Sequence, residues 1–112
     1  MSYKVILTPL FKRQAKQLLK RYASLKKELL EVESSLQINP IQGTPLGHNA
    51  YKLRLAIKSK GRGKSGGARI ITYVVASNYH VYMLSIYDKS EISTIDDKTL
   101  KMLVAEARSL KI

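Results

Sequence analysis

Apolar and polar positions recur along this chain with two periods, and the places where the period changes divide it into elements. Residues 3 to 7, YKVIL, are a short β-prone run. Thr8-Pro9 follows with the form of a helix start, threonine as cap and proline at the first helical position. Phe11, Ala15, Leu18, Leu19 and Tyr22 then recur at helical spacing, with Lys12, Arg13, Lys16, Lys20 and Arg21 on the remaining positions. The spacing predicts an amphipathic helix with a basic outer face. Ser24 stands where it can cap a second helix, whose apolar residues Leu25, Leu29, Val32 and Leu36 step by four, three and four. Two successive helices of similar length predict an antiparallel hairpin. Asn39-Pro40 ends it, and Pro40, Gly43, Pro45 and Gly47 mark residues 39 to 49 as loop.

The period then drops to two. In AYKLRLAIK, from Ala50, the apolar Tyr51, Leu53, Leu55 and Ile57 alternate with Lys52, Arg54, Ala56 and Lys58. One face of this strand is predicted to enter a core while the other presents three cations. After a glycine-rich arm comes ARIITYVVA, apolar on both faces and so expected inside a sheet. Ser77-Asn78 is predicted as a tight turn, and YHVYMLSIYDK as a further strand. Connections this short preclude crossovers, so the three strands are expected to form an antiparallel meander. Asp96 or Asp97 starts a last helix with Leu100, Leu103, Val104 and Ala107 as its apolar face. The predicted order is β-α-α-β-β-β-α: one α+β domain spanning residues 1–112, with an antiparallel sheet packed by a helical hairpin and a C-terminal helix.

Charge changes the picture more than composition does. Hydrophobic residues make up 45% of the 112, which removes disorder as the default. The formal charge is +12, from 20 Lys and Arg against 8 Asp and Glu, which points to a polyanionic partner. No apolar run approaches the length of a membrane span and no signal-peptide pattern opens the chain, so a soluble cytoplasmic protein without a membrane partner is expected. The absence of cysteine removes disulfides, thiolate metal sites and cysteine nucleophiles together. His48 and His80 lack the spacing of a metal site, and no acidic pair precedes Asp96-Asp97, so neither zinc nor two-metal chemistry has its ligands here.

Gly63-Lys64-Ser65 matches the end of a phosphate-binding loop. That loop needs a further glycine where Lys58 stands, and a helix where the β-branched run Arg69 to Val75 follows. A basic hairpin arm is the better reading, with Lys60, Arg62 and Lys64 set among glycines that let cations approach a backbone closely. Alternating charge usually means no more than a solvated strand face. Here the sign is uniform: no carboxylate occurs between Glu33 and Asp88, while Lys52, Arg54, Lys58, Lys60, Arg62, Lys64 and Arg69 all do. A surface built only for solubility mixes both signs. Arg69 can extend the row of Lys52, Arg54 and Lys58 from the neighbouring strand, and such a field attracts phosphates. At the end of the last strand Tyr87 and Lys89 are two apart and share a face, with Asp88 directed oppositely. A phenol and an amine beside a bed of cations suit phosphodiester chemistry. Packing of the tyrosine, and a surface ion pair between Lys89 and Glu91, are the plainer alternatives.

This order of elements, with YKLRLAIKSKGRGKSGGARIITYVV and LSIYDKSE, resembles the RelE/ParE-type toxins of bacterial type II toxin–antitoxin modules, closest to the HigB-like branch. The resemblance covers nearly the whole chain and is most specific in K-x-R, G-x-G-K-S-G-G-x-R and Y-x-K-x-E over residues 52 to 91. It implies an endoribonuclease without metal or cofactor that cuts mRNA on the translating ribosome and is silenced by a cognate antitoxin, an acidic or helix-turn-helix protein. On that resemblance Lys52, Arg54 and Arg69 hold the scissile phosphate, and Tyr87 with Lys89 serve base stacking and proton transfer. Lys58, Lys60, Arg62, Lys64 and Ser65 contact RNA or ribosome. A ParE-like gyrase poison, or a non-catalytic RNA- or ribosome-binding module, would share these features. The antitoxin would dock on the cationic groove or on the helices away from it.

Overall fold

The computed structural model describes residues 2–60, 67–91 and 95–111. β1 (Lys4–Leu7) leads into α1 (Pro9–Arg21), which Thr8 caps by accepting the Phe11 N–H at 3.2 Å. After α2 (Leu25–Ile38) come β2 (Thr44–Gly47), β3 (Ala50–Leu55), β4 (Ala68–Val75) and β5 (His80–Asp88), then α3 (Asp97–Arg108). Short 3-10 turns at Lys58–Lys60 and Ala76–Asn78 follow β3 and β4, the second in place of the two-residue turn expected at Ser77-Asn78. The five strands form one sheet in the order β1-β5-β4-β3-β2.

Apolar alternation sorts the two sheet faces as expected. Leu55, Ile70, Val74, Met83 and Ile86 face the helical hairpin, where Phe11, Ala15 and Leu18 of α1 and Leu25 and Leu36 of α2 meet them. Ile71, Tyr73, Tyr82, Leu84 and Tyr87 face α3 through Leu100, Leu103, Val104 and Ala107. β4 and β5 lie inside the sheet, so both of their faces are buried, which is what an apolar run without alternation requires.

Three local expectations are corrected. Residues 39 to 49 are not all loop: β2 forms there, because His48 and Asn49 both adopt positive φ (57° and 61°) and fold the chain straight back onto β3. Pro45 is tolerated because β2 is the outermost strand. The sheet is also mixed rather than antiparallel, since β1 pairs parallel to β5; the helical hairpin that separates β1 from β2 returns the chain across one face. Ser24 does not cap α2 with its side chain. Its hydroxyl lies 3.0 Å from Glu28 Oε1 and accepts the Ser59 N–H at 3.0 Å.

Beyond Met83, β5 loses β1 as a neighbour, and α1 takes over the exposed edge. The Thr8 hydroxyl donates to the Met83 carbonyl at 3.1 Å, and Gln14 Oε1 accepts the Ile86 N–H at 3.0 Å and the Ser85 hydroxyl at 2.9 Å. The side chains of the capping Thr8 and of Gln14 within α1 thus do the work of a missing strand.

Candidate functional site

Three central strands bring the predicted site residues to one line. Arg54 of β3 lies directly opposite Arg69 of β4, and Arg69 directly opposite Tyr87 of β5. Lys52 is one rung along, opposite Ile71, which itself faces Ser85. Directly opposed residues share a sheet face, so Lys52, Arg54, Arg69 and Tyr87 all belong to the α3 side.

Burial differs sharply across this line. Arg54 is exposed and Lys52 half-buried, whereas Arg69 is 4% exposed and Tyr87 6%. Arg69 Nη1 donates to the Ala68 carbonyl at 3.1 Å. Two guanidinium groups opposite one another repel, and taking one of them out of water adds a desolvation cost. The pairing sets these two guanidinium-bearing side chains on one rung of the sheet. The Tyr87 hydroxyl is buried and has no hydrogen-bond partner among the described residues. Burial pushes its pKa above 10.0, an effect the nearby Arg69 cation partly offsets, so the phenol stays protonated at neutral pH. Its chemistry is that of a neutral donor and acceptor, not of a phenolate base.

Lys89 lies one residue past the strand, half-buried, and its N–H donates to the Gly67 carbonyl at 3.1 Å. The alternative partner for Lys89 is corrected: Glu91 pairs with Arg21 at 3.1 Å, because the end of α1 reaches it first. Asp88 points to the hairpin side, as the alternation requires, and is 1% exposed. Its Oδ2 accepts the Tyr22 hydroxyl at 2.6 Å, and its Oδ1 accepts the N–H and hydroxyl of Ser90 at 3.0 and 2.8 Å.

Lys58 leaves the predicted row. β3 ends at Leu55, and the Lys58 N–H donates to Glu28 Oε2 at 2.7 Å, which draws the chain against α2. Lys58 therefore lines a groove with Glu28 and Glu31 of α2 and with Arg54, outside the strand ladder. The backbone of Lys60 closes the 3-10 turn. Arg62, Lys64 and Ser65 lie outside the described residues.

His48 has an orienting partner: its Nε2 lies 3.2 Å from Asp97 Oδ1 at the start of α3. Asp97 also pairs with Lys101 at 3.2 Å. Hydrogen bonds from Thr99 hold the Asp96 carboxyl below its ordinary range, and bonds from Lys101 and then His48 do the same for Asp97. No group of three metal-ligating side chains occurs among the described residues. Nor, among them, is any helix long and apolar enough to cross a membrane.

No protein-family model matches this chain. Solved structures do. A double mutant of the E. coli toxin RelE in its free state superposes with a TM-score of 0.60 at 18% identity, covering 98% of this chain and 100% of that one. The RelBE2 toxin–antitoxin complex from Mycobacterium tuberculosis gives 0.59 at 19% identity, over 79% of this chain and 99% of that one. The chain has a RelE-like fold. The HigB-like branch rests on the sequence motifs alone. In this RelE-like frame the sequence reading missed the roles of Gln14, Glu28 and Tyr22, each of which fixes a site-bearing segment from within a helix or, for Tyr22, from the end of one. Their partners are 72, 30 and 66 residues away, and no local pattern encodes such pairs.

Proposed function

We propose that this protein is the toxin of a type II toxin–antitoxin pair, acting as an endoribonuclease on mRNA at the ribosome. The observation that carries the reading is the rung Arg54–Arg69–Tyr87, with Lys52 beside it, in a segment without a carboxylate. The RelE-like fold supports it, since the E. coli and M. tuberculosis neighbours are a toxin and a toxin–antitoxin complex.

The ribose 2′-oxygen attacks the adjacent phosphorus, forming one P–O bond as the bond to the 5′-oxygen breaks. The products are a 2′,3′-cyclic phosphate and a 5′-hydroxyl. One proton passes from the 2′-hydroxyl to solvent water, and one arrives at the 5′-oxygen from Lys89, which solvent then reprotonates. Lys52 and Arg54 contact the phosphoryl oxygens from the open side, and Arg69 supports them from beneath with fixed positive charge. A charge already in position needs no reorganisation when the oxyanion develops. Lys89 donates to the departing oxygen. Tyr87, neutral and next to Arg69, contributes hydrogen bonding rather than proton abstraction. DNA lacks the internal nucleophile, so the reaction selects RNA. Arg62, Lys64 and Ser65, with Lys58 and Lys60, serve as RNA or ribosome contacts, and an acidic antitoxin covers the cationic field.

Primer extension after induction tests this. New mRNA ends are expected with the wild type and absent from the Lys89→Ala, Arg69→Ala double variant. Because Arg69 is buried, Arg54→Ala is included as an exposed-site variant whose fold is expected to survive. Undiminished cleavage by both variants would sink the assignment. Intact mRNA with trapped gyrase–DNA complexes would replace it with gyrase poisoning.

A further inference from the structure

Two clefts meet at Tyr87. The larger, about 630 Å³, runs between the second half of α1 and the end of β5, with Gln17, Lys20, Arg21 and Glu91 in its walls. The smaller, about 260 Å³, opens between α1 and the first turn of α3. Gln14 and Tyr87 line both. At 260 Å³ the smaller cleft is below the usual range for drug-sized ligands and suits a single flat ring system. Leu10, Ile95 and Leu103 give it apolar walls, and Gln14, Ser85, Asp96 and Thr99 give it polar ones.

The hydrogen-bonding roles in this cleft are fixed by what the side chains already do. The Ile86 N–H can only donate, so the Gln14 atom facing it is the amide oxygen. Ser85 donates to that same oxygen. The Gln14 amide nitrogen is what remains for a ligand, and it is purely a donor. Asp96 accepts the Thr99 N–H with Oδ1 at 2.8 Å and is an acceptor only. Tyr87, in the wall, carries the buried hydroxyl that has no partner among the described residues. A donor and an acceptor in the lining of one partly apolar cleft, with a phenol that has no partner among the described residues in the same wall, describe a complement to a heteroaromatic edge.

We propose that the cleft between Gln14 and Asp96 is a base-recognition pocket that takes an unstacked RNA base bearing an exocyclic amine. The amine donates to Asp96, the adjacent ring nitrogen accepts from Gln14, and the leucine walls cover the ring faces. Adenine and cytosine present this donor–acceptor pair. Uracil puts a carbonyl oxygen where the amine would be, opposite the Asp96 carboxylate, and is rejected. This inference rests on RNA being the substrate, and it makes α1 and α3 the determinants of which base lies next to the phosphate held by the strands.

The test is binding of 2′-O-methyl tetranucleotides of A, C and U to the full chain, which have no free 2′-hydroxyl and so separate recognition from cleavage. Affinity for A and C is expected to exceed that for U by about 5- to 150-fold, the range for a good paired base contact. Asp96→Asn keeps the helix cap, since asparagine caps as well as aspartate, but adds a donor opposite the uracil carbonyl; the preference is expected to collapse. Gln14→Glu keeps the acceptor for Ile86 and removes the free donor, and affinity for A and C is expected to fall to that for U. Equal binding of all three oligomers by the wild type, no binding at all, or a preference unchanged in both variants overturns the pocket. Equal binding together with ribosome-dependent cleavage would remove the pocket and leave the nuclease standing. Base-selective binding without any cleavage would do the reverse.

Discussion

The Tyr22 hydroxyl donates to the buried Asp88 carboxylate at 2.6 Å, joining the end of α1 to the end of β5 across 66 residues. Asp88 sits between Tyr87 and Lys89, so this bond, with those from Ser90, sets how the strand end presents both neighbours. Tyr22→Phe removes one charge-assisted bond from a carboxylate that stays buried. A loss of about 1.5–3 kcal/mol in urea unfolding is expected. A value near zero would mean that Asp88 is satisfied without Tyr22.

Arg54 offers the cleanest reading of phosphate contact, because it is exposed and its removal leaves the core untouched. Arg54→Gln is expected to weaken binding of single-stranded RNA uniformly across sequences. It should lower the slope of log affinity against log salt by about 0.7. An unchanged slope would show that this guanidinium touches no phosphate.

The start of α3 should respond to acid before the sheet does. Asp96 and Asp97 both have pKa values held below 3.8, Asp96 by Thr99 and Asp97 by Lys101 and then His48. A depressed carboxylate gives stability that is complete above its unfolded pKa and is lost as pH falls through the lower folded value. Amide exchange should therefore show the first turn of α3 opening below about pH 3.8 while β4 stays protected. Asp97→Asn should remove the part of this transition that belongs to the His48 and Lys101 contacts.

Gly67 and Gly47 should differ for reasons visible at each. A Cβ on Gly67 would lie 1.9 Å from the Leu55 carbonyl oxygen, backbone against backbone, where nothing can rotate away. Gly67→Ala is expected to lose more than about 2 kcal/mol. At Gly47 a Cβ would meet open space, and only the φ of +87° is at stake. Gly47→Ala should cost about 1–2 kcal/mol. Thermal unfolding of the two variants side by side distinguishes a steric wall from a torsional preference.

What could be read from the chain was whatever is encoded within a few residues. The alternation in residues 51 to 57 gave the strand, its buried face and the cations on the other. Thr8-Pro9 gave a true helix start. β2 was hidden because four residues containing Pro45 and Gly47 carry no alternation, and its turn uses His48 and Asn49 rather than a glycine pair. The parallel pairing of β1 with β5 was illegible for a different reason: a strand's own pattern specifies its faces and not its neighbour. The exit of Lys58 from the row is of the same kind, since Glu28, which redirects it, belongs to another element. The alignment of Arg54, Arg69 and Tyr87 was within reach because a short connection fixes register approximately, but the burial of Arg69 and Tyr87 was not, because it depends on what packs above them.

The helix that stands in for a strand along β5 also orders events during synthesis. Gln14 precedes Ile86 by 72 residues, so the guard of this edge has already emerged when the strand it protects is made. A nascent chain with α1 unfolded would offer bare Ser85 and Ile86 backbone to any other extended segment nearby, and self-association would compete with maturation. Thr8 and Gln14, at the head of α1, thus act as a built-in escort for β5.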